Sequence, residues 1–488
     1  MHSGVQLCNL IGGKWVPGAG AEMASISPAD PDVAVARVLT AQVDDVDRAV
    51  AAARSAQPSW RRTPAHERGA VLARAASILE DFADQWGSDL AREEGKTRLE
   101  GVAEVRRGAQ ILRYFSTEAD RSEGDHYGSP RRGERILVTR KPLGVVGVIT
   151  PFNFPIAIPA WKIAPALSYG NTVVWKPAST VPLLAFHLAQ ALHTAGAPAG
   201  VLNLLIGDGP VGRALAEHRE IDGVTFTGST GVGRAIASAG ASRGVPVQAE
   251  MGGKNAAVVL ADADLEVAVD EVLLGAFRSS GQKCTATSRL IVDDRVADSF
   301  LSQLGARADS LRVGDPLVDG VQMGPVIDRA AQVAIHAGIE RAMEQGARRL
   351  TSVTGDPTGS PSQGYFVAPT ILELPTGDVD VWRDELFGPV LAVRRASSPE
   401  HAFELANDSE FGLSAAVFTQ DLTRALEAID DIDVGILHVN SETAGADPHV
   451  PFGGAKRSSY GPKEQGQSAR EFYTHTTTVY LRGAQSTL

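Results

Sequence analysis

Between residues 145 and 248, short apolar runs alternate with segments long enough to form a helix. The runs are rich in β-branched residues and are Val145–Thr150, Thr172–Trp175, Val201–Ile206, Val224–Thr227 and Pro246–Gln248. Strands separated by helices build right-handed β-α-β units. The alternation therefore predicts an α/β fold whose centre is a doubly wound parallel sheet.

A second alternating series predicts a second α/β unit further along the chain. Its apolar runs are Ala256–Leu260, Ser288–Val292 and Gly435–Val439. A chain of 488 residues is too long for one hydrophobic core, so more than one domain is expected.

The segments around these two series have patterns of their own. Residues 43–113 are rich in Ala, Arg, Glu and Leu at helical spacing, which predicts two or three amphipathic helices. Arg135–Lys141 is an extended run that follows the polar segment 120–133, and this suits a projecting hairpin arm. Thr476–Leu481 is rich in β-branched residues and predicts one final strand.

The overall charge limits the classes of partner. The formal net charge is −12 at pH 7, which argues against a surface for nucleic acid or for an anionic membrane. No run of about 18 apolar residues occurs, so no transmembrane helix is expected. Met1–Gly13 lacks a basic segment followed by an apolar stretch, so it does not resemble a signal peptide. We expect a cytoplasmic protein.

The chain has two cysteines, Cys8 and Cys284. Two thiols so far apart in sequence form neither a disulfide framework nor a zinc site, so no metal is expected, and they suit a reducing compartment. Cys8 lies in an apolar terminal stretch and is interpreted as a small hydrophobic residue. Cys284 follows the glycine turn of Ser280–Thr285 and is the candidate reactive thiol.

Two glycine loops are candidates for binding a dinucleotide. Gly207–Gly212 fits the G-x-G-x-x-G pattern, but the next strand does not end in the acid that would take the ribose hydroxyls, so we interpret it as a structural turn. Phe226–Gly233 also joins a strand to a helix. Its small residues, its hydroxyls and its helix N-terminus suit a pyrophosphate.

Six motifs in a fixed order resemble those of the aldehyde dehydrogenase superfamily. They are Thr150–Pro155, Trp175–Ala178, Glu250–Lys254, Ser280–Thr285, Glu385–Pro389 and Pro451–Gly454. The resemblance covers nearly the whole chain. It implies the aldehyde dehydrogenase fold and the NAD(P)+-dependent oxidation of an aldehyde to a carboxylic acid.

The resemblance also implies roles for individual residues in catalysis. Cys284 matches the nucleophile that makes the aldehyde tetrahedral and later carries a thioester. Asn153 matches a donor to the oxyanion, together with the backbone N–H of Cys284. Glu250 matches the general base for hydrolysis of the thioester. Lys162 and Glu464 match polar positions that support a proton path.

The cofactor expected from the resemblance is NADP or NAD. Lys176 matches a residue that binds the adenosine ribose, Ser229 the pyrophosphate contact and Glu385 the contact with the nicotinamide ribose. The remaining positions assigned to the cofactor are Thr150, Pro151, Phe152, Ser179, Gly209, Phe226, Gly228, Glu250, Gly252 and Phe387.

Ser179 bears on the choice between the two cofactors. Related enzymes restricted to NAD+ commonly have a glutamate at this position, where it would repel the 2′-phosphate of NADP+. A serine removes that repulsion, so we expect NADP+ to be accepted. The alternative is that Ser179 caps the helix expected over Val181–Ala195.

The domain boundaries follow from the resemblance as well. A dinucleotide-binding domain is expected over residues 1–121 and 143–252, and a catalytic domain over residues 253–467. An oligomerisation arm would comprise residues 122–142 and 468–488. The partners implied are a small aldehyde and further copies of the chain, in a homodimer or homotetramer.

Three segments look most like 2-oxoglutarate semialdehyde (2,5-dioxopentanoate) dehydrogenases: Gly281–Arg289, Asn440–Gly445 and Ser458–Gly466. Arg278 stands where related semialdehyde enzymes place an arginine for the far carboxylate of the substrate, a group that a guanidinium binds bidentately. Thr285 is assigned to the same substrate site. The alternative for Arg278 is a surface arginine on a helix.

Trp161 departs from the semialdehyde pattern, because those enzymes often carry a second arginine there. With Phe154 it leaves an apolar wall that equally suits aromatic or aliphatic aldehydes. Two other classes are weighed against hydrolytic oxidation. A CoA-acylating relative usually lacks the glutamate found at Glu250, and a non-catalytic lens-type protein is disfavoured because no catalytic position is lost.

Overall fold

The computed structural model describes residues 4–121, 124–352, 363–375 and 377–483. The ends of the expected oligomerisation arm, residues 122–123 and 484–488, lie outside them. The chain begins with five short strands: β1 (Val5–Leu7), β2 (Asn9–Ile11), β3 (Lys14–Val16), β4 (Glu22–Ile26) and β5 (Ala34–Leu39). Strands β1, β5 and β4 form a small sheet, whereas β2 and β3 join the first large sheet.

Four helices follow, not two or three as the sequence predicts. They are α1 (Val43–Trp60), α2 (Ala65–Asp81), α3 (Ala83–Glu94) and α4 (Arg98–Glu118). Helix α3 ends at Gly95, whose φ of 98° is left-handed, and α4 starts with a capping box formed by Thr97 and Glu100. The break at Phe82 was missed because no glycine or proline marks it.

The predicted hairpin arm is formed by β6 (Gly124–Gly128) and β7 (Glu134–Pro142), which pair antiparallel. The predicted final strand lies against β7 on its other side, over Thr474–Arg482. These three strands form a separate sheet with largely exposed outer residues.

The elements of the first alternating series follow in the expected order. They are β8 (Val145–Ile149), α5 (Ala157–Ser168), β9 (Thr172–Lys176), α6 (Pro182–Thr194), β10 (Leu202–Leu204), α7 (Gly209–Glu217), β11 (Gly223–Thr227), α8 (Thr230–Arg243) and β12 (Val247–Glu250). The five strands are parallel and lie in the order β12-β11-β8-β9-β10. The predicted doubly wound sheet is confirmed.

Both faces of this sheet are covered, which explains its nearly continuous apolar strands. On one face, Val146 and Val148 pack with residues of α5 and α6. On the other face, Val145 and Val174 pack with residues of α1 and α7.

The second series contains more strands than the sequence reading found. Its elements are β13 (Asn255–Val259), α9 (Leu265–Phe277), β14 (Thr287–Asp293), α10 (Asp294–Asp309), α11 (Arg329–Glu344), β15 (Arg348–Arg349), β16 (Thr370–Glu373), α12 (Asp380–Arg383), β17 (Val390–Ala396), α13 (Pro399–Asn407), β18 (Phe411–Gly412), β19 (Ser414–Phe418), α14 (Leu422–Asp431) and β20 (Ile436–Val439). The described strands form a sheet in the order β15-β16-β17-β14-β13-β19-β20.

The chain ends with β21 (Ala455–Lys456), β22 (Ser459–Tyr460), α15 (Ala469–Tyr473) and β23 (Thr474–Arg482). Strand β22 pairs antiparallel with β12, so a segment expected in the second unit closes the edge of the first sheet. This crossing brings residues of distant segments together at the candidate site.

Candidate active site

The strand order creates a crevice between β8 and β11. In doubly wound sheets, ligands bind beyond the carboxyl ends of the strands at the point where the strand order reverses. Thr150 follows β8 there, and Gly228 and Ser229 follow β11. The Gly207–Gly212 segment follows β10 and so lies away from the point where the strand order reverses. It nevertheless lies beside Lys176.

The loop after β11 has the properties of a pyrophosphate site. Ser229 precedes α8 and its side chain makes no capping hydrogen bond, so the first N–H groups of the helix have no side-chain cap. A Cβ at Gly228 would lie 2.5 Å from the ring of Phe226, and one at Gly233 would lie 2.6 Å from Met251. The two glycines therefore allow the loop to pack closely against Phe226 and Met251.

Lys176 ends β9 and is partly buried, and that burial lowers the pKa of its ammonium group, while Asp208 opposes the shift. A Cβ at Gly212 would lie 3.6 Å from the lysine side chain, whereas one at Gly209 would meet no atom within 4 Å. The helix-cap interpretation of Ser179 is wrong. Helix α6 begins at Pro182 with Val181 as its N-cap, because proline favours the first helical position.

Glu385 is held against the start of the second unit. Its Oε1 accepts a hydrogen bond from the N–H of Gly253 at 3.0 Å, and burial raises its pKa to about 7. A Cβ at Gly252 would lie 2.2 Å from Oε2 of Glu385, so the glycine allows the carboxyl group to lie against the backbone in this position. Together with Lys176 and the loop after β11, these groups fit a dinucleotide.

Three loops meet at this crevice. The rings of Phe152 and Phe387 contact edge to face, with centroids 5.8 Å apart. A Cβ at Gly281 would lie 2.3 Å from the carbonyl oxygen of Gly388. The Thr150–Asn153 segment, which includes Pro151, therefore lies close to the loop of Glu385 and to the cysteine turn.

The turn that carries the cysteine is strained. Ser279, Ser280 and Gly281 have φ values of 55°, 54° and 69°, all left-handed. The N–H and hydroxyl of Ser279 donate to Glu100, and the hydroxyl of Ser280 donates to the carbonyl of Gly324 at 2.8 Å. These contacts hold a backbone shape that serine does not favour.

Cys284 emerges from this turn with a partly exposed side chain. Its carbonyl oxygen accepts a hydrogen bond from Nδ2 of Asn255 at 2.7 Å. Burial of the sulfur raises the pKa of Cys284 to about 12, and the carboxylates of Glu385 and Glu250 act in the same direction. The thiol is therefore protonated at neutral pH and must lose its proton to react.

Asn153 is directed at the cysteine segment. Its Nδ2 donates to the carbonyl of Gln282 at 2.8 Å. The buried Lys96 donates to the backbone carbonyl of Asn153 and to Glu104, and Glu104 accepts the N–H of Ile156 at 3.0 Å. Our sequence analysis missed this clamp, because its contacts join Lys96 and Glu104 to a segment that is distant in the sequence.

Glu250 lies at the end of β12 in a buried group of charges. Lys162 forms an ion pair with Glu464, and their side chains are 0% and 2% exposed. Burial, together with the carboxylate of Glu464, raises the pKa of Glu250 to about 8. The hydroxyl of Ser459 donates to Oε2 of Glu250, a contact that no sequence motif announced.

The two residues of the expected apolar wall have different surroundings. Trp161 is buried and packs against Phe452 with ring centroids 5.2 Å apart, and the ammonium of Lys96 lies 3.6 Å from the ring centre of Phe154. Thr285 is buried, and its carbonyl accepts the hydroxyl of Thr443 at 2.7 Å.

Arg278 is half-exposed and already engaged by the protein. Its guanidinium lies 3.3 Å from the carboxylate of Glu442 and 3.8 Å from that of Glu100. Glu442 also contacts the ammonium of Lys283 at 3.3 Å. The structure thus places the arginine in a balanced cluster of charges rather than as a single free cation.

Among the described residues, no group of three or more His, Cys, Asp or Glu side chains is arranged to hold a metal ion. In that same part of the chain, no helix is long and apolar enough to cross a membrane.

A cysteine beside a dinucleotide crevice, with a buried glutamate near it, defines the class of nicotinamide-dependent dehydrogenases that act on aldehydes through a thiol. The chain belongs to the aldehyde dehydrogenase family, whose profile matches residues 15–479.

Two curated relatives and one solved structure are similar over nearly full length. The chain is 43% identical over 476 residues to an alpha-ketoglutaric semialdehyde dehydrogenase of Bacillus subtilis (strain 168), covering 97% of this chain and 98% of that protein. It is 38% identical over 473 residues to a 2,5-dioxopentanoate dehydrogenase of Saccharolobus solfataricus, covering 96% and 98%. A betaine aldehyde dehydrogenase from Staphylococcus aureus in complex with NAD+ has a TM-score of 0.95 at 30% identity, covering 99% and 96%.

These comparisons confirm the aldehyde dehydrogenase fold and the assignment of the chain as an oxidoreductase that uses NAD or NADP. The roles of the individual site residues are not tested by the comparisons and stay predictions.

Proposed function

We propose that the chain oxidises a small carboxylated semialdehyde, such as 2-oxoglutarate semialdehyde, to the corresponding acid. The names of the two curated relatives support this substrate, since both similarities extend over nearly the whole chain. The hydrogen bond from Asn153 to the carbonyl of Gln282 supports the proposed reaction. It brings an amide donor to the cysteine segment, where an oxyanion would form.

In the proposed reaction, the thiol of Cys284 gives up its proton to solvent water, and the sulfur then adds to the aldehyde carbon. The amide of Asn153 and the backbone N–H of Cys284 stabilise the negative oxygen that results. The nicotinamide cofactor, when bound, accepts the hydride from this carbon. Lys176, Ser229 and Glu385 would hold the cofactor, with the other crevice residues named above around it. A thioester then remains on the sulfur.

Glu250 is proposed as the general base for the hydrolysis that follows. Because its pKa is about 8, its ionised fraction increases as the pH rises through that value. The ion pair of Lys162 with Glu464 lies next to it and offers a route for the proton. The rate of hydrolysis should therefore rise with pH up to about 8.

Arg278 is proposed to bind the far carboxylate of the substrate, after exchanging a contact with Glu442 or Glu100. Exposed ion pairs exchange at little cost, which supports this step. The second candidate substrate is an aromatic or aliphatic aldehyde. The buried wall of Trp161 beside Phe452 favours it, because such a surface gains from apolar contact.

A substrate screen distinguishes these candidates. The purified enzyme would be assayed with carboxylated semialdehydes, benzaldehyde and hexanal, and reduction of the cofactor would be followed by absorbance. We expect the highest kcat/KM with the semialdehydes. A higher kcat/KM with benzaldehyde or hexanal would show that the substrate is an aromatic or aliphatic aldehyde instead.

We also propose that the chain forms a homodimer or homotetramer through the arm at 122–142 and 468–488, with the domain boundaries given above. Helix α14 lies outside the arm and offers a second surface for contact between copies, because Leu422, Leu426 and Ile429 lie on one face and are 73%, 55% and 61% exposed. Among the described strands, β20 and β23 both lie at a sheet edge, which can accept a further strand. Sedimentation of the purified chain as a monomer would contradict the proposal.

We propose a cytoplasmic location because the cysteines are free thiols. Cys8 and Cys284 are both unpaired, as expected in a reducing compartment. Fractionation of the producing cells would test it.

A further inference from the structure

Ser459 lies directly opposite Glu250. Strand β22 pairs antiparallel with β12, and the register places Glu250 across from Ser459. The serine hydroxyl donates to Oε2 of Glu250, while the N–H of Gly454 donates to the serine oxygen at 2.6 Å. The serine therefore links a backbone turn to the carboxyl group.

The direction of the hydroxyl proton follows from this arrangement. A serine hydroxyl has one proton and two acceptor lone pairs. Because the N–H of Gly454 occupies a lone pair, the proton of Ser459 is free to point to Oε2 of Glu250. The turn itself is fixed, since the ammonium of Lys463 donates to the carbonyl of Gly454.

The second oxygen of Glu250 is in a different situation. Oε1 is buried and has no hydrogen-bond partner in the described part of the protein. A Cβ at Gly453 would lie 2.7 Å from Oε1, so the lack of a side chain at this glycine lets the loop lie close to this atom. One oxygen of Glu250 is thus held by Ser459, and the other is a buried acceptor without a hydrogen-bond partner among the described residues.

Four titratable side chains face Glu250. The carboxylate of Glu464 and burial raise the pKa of Glu250, while the hydrogen bond from Ser459 and the ammonium groups of Lys162 and Lys463 lower it. The fourth group is the thiol of Cys284, whose pKa Glu250 raises in return. Ser459 therefore acts with the two lysines to favour the ionised form of the carboxyl group, against the effects of burial and of Glu464.

We propose that Ser459 is a positioning residue for the general base: it holds Oε2 so that Oε1 of Glu250 receives the proton of the attacking water. The inference rests on the proposed role of Glu250 in hydrolysis. In that step the water oxygen bonds to the thioester carbon and its proton passes to Oε1. The carbon–sulfur bond breaks, its electron pair returns to the sulfur of Cys284, and the acid is released.

The variant Ser459→Ala removes the hydroxyl and tests the proposal through the pH profile of kcat. Loss of a hydrogen bond to a charged acceptor is expected to raise the pKa of Glu250 by about one unit. The acidic limb of kcat should therefore move upward by about one unit, with about a tenfold loss at pH 7 and an enlarged burst of reduced cofactor. Ser459→Thr keeps the hydroxyl and should restore the profile.

The neighbouring serine provides a matched control. Ser458 is buried and its hydroxyl accepts the N–H of Gly412 at 3.1 Å, without touching Glu250. Ser458→Ala should leave the acidic limb in place even if it lowers the stability. An unmoved limb in Ser459→Ala overturns the inference.

Glu250→Gln separates this result from failure of the proposed function. Normal steady turnover in Glu250→Gln would remove Glu250 from the reaction. A stalled Glu250→Gln together with an unmoved limb in Ser459→Ala would refute only the role of the serine.

Discussion

The charges around Glu250 and the charges around Arg278 lie in contrasting surroundings. The side chains of Lys162 and Glu464 are 0% and 2% exposed, whereas those of Arg278 and Glu442 are 46% and 17% exposed. A buried ion pair cannot lose one partner without leaving an uncompensated charge. An exposed pair exchanges its partners with water at little cost.

This difference indicates how the two functions of the site are divided. The buried cluster fixes the groups proposed for chemistry, so its members should tolerate few substitutions. The exposed cluster can exchange one carboxylate for another, which is what recognition of a carboxylated substrate requires. We therefore expect large effects from changes in the first cluster and graded effects on substrate choice from changes in the second.

The largest effect is expected at the nucleophile. Cys284→Ala should abolish aldehyde oxidation, because no other group can form the thioester. Binding of the cofactor, measured by fluorescence titration, should remain intact. Cys8→Ala serves as the matched control and should retain full activity. Substantial turnover of Cys284→Ala would refute covalent catalysis.

The next effect concerns stability. Lys162→Met would leave the buried carboxylate of Glu464 without its partner, so a loss of about 3–5 kcal/mol in the free energy of unfolding is expected. Arg278→Ala should cost less than about 1 kcal/mol, since its pairs are exposed. Urea denaturation of both variants measures the two losses in the free energy of unfolding. Equal losses would show that the two clusters do not differ as described.

A smaller effect is expected on substrate choice. Arg278→Ala should reduce kcat/KM for carboxylated semialdehydes about tenfold, the lower range for a charge-assisted hydrogen bond, because the side chain is half-exposed. Benzaldehyde should be little affected. Glu442→Gln removes a competing carboxylate and should act in the opposite direction. If Arg278→Ala lowers kcat/KM equally for the semialdehydes and for benzaldehyde, the role of the arginine is structural.

The smallest effect is expected on the choice of cofactor. Ser179→Glu would place a carboxylate near the expected 2′-phosphate of NADP+, a repulsion of about 1 kcal/mol in a solvated site. The KM for NADP+ should rise about fivefold relative to that for NAD+. Comparison of kcat/KM for both cofactors checks this. An unchanged ratio would place Ser179 outside the cofactor site.

The first large sheet could be predicted from sequence because its strands are buried on both faces and appear as continuous apolar runs. The strands missed in the second sheet lack that signal. Strand β17 has two arginines near its end, β16 ends with a glutamate, and β19 begins with a serine and two alanines. The break between α2 and α3 at Phe82 was not predicted, because the pattern of apolar residues at helical spacing continues on both sides of it.

The residues proposed for catalysis could be assigned from sequence because they lie in local motifs. The residues that contact and position them could not be assigned from sequence, because their contacts join segments that are distant along the chain. Lys96 reaches the carbonyl of Asn153, and Ser459 reaches Glu250, only after the sheets have formed. The partners of Arg278 were missed for the same reason, since Glu442 lies far along the chain.

Glu250 is proposed to remove the proton of the water that hydrolyses a thioester on Cys284. Mass spectrometry of acid-quenched Glu250→Gln, mixed with aldehyde and NAD(P)+, tests this role. We expect a covalent acyl adduct on Cys284, with about one equivalent of reduced cofactor per active site and little further turnover. A bare cysteine, together with steady turnover at the wild-type rate, would contradict it.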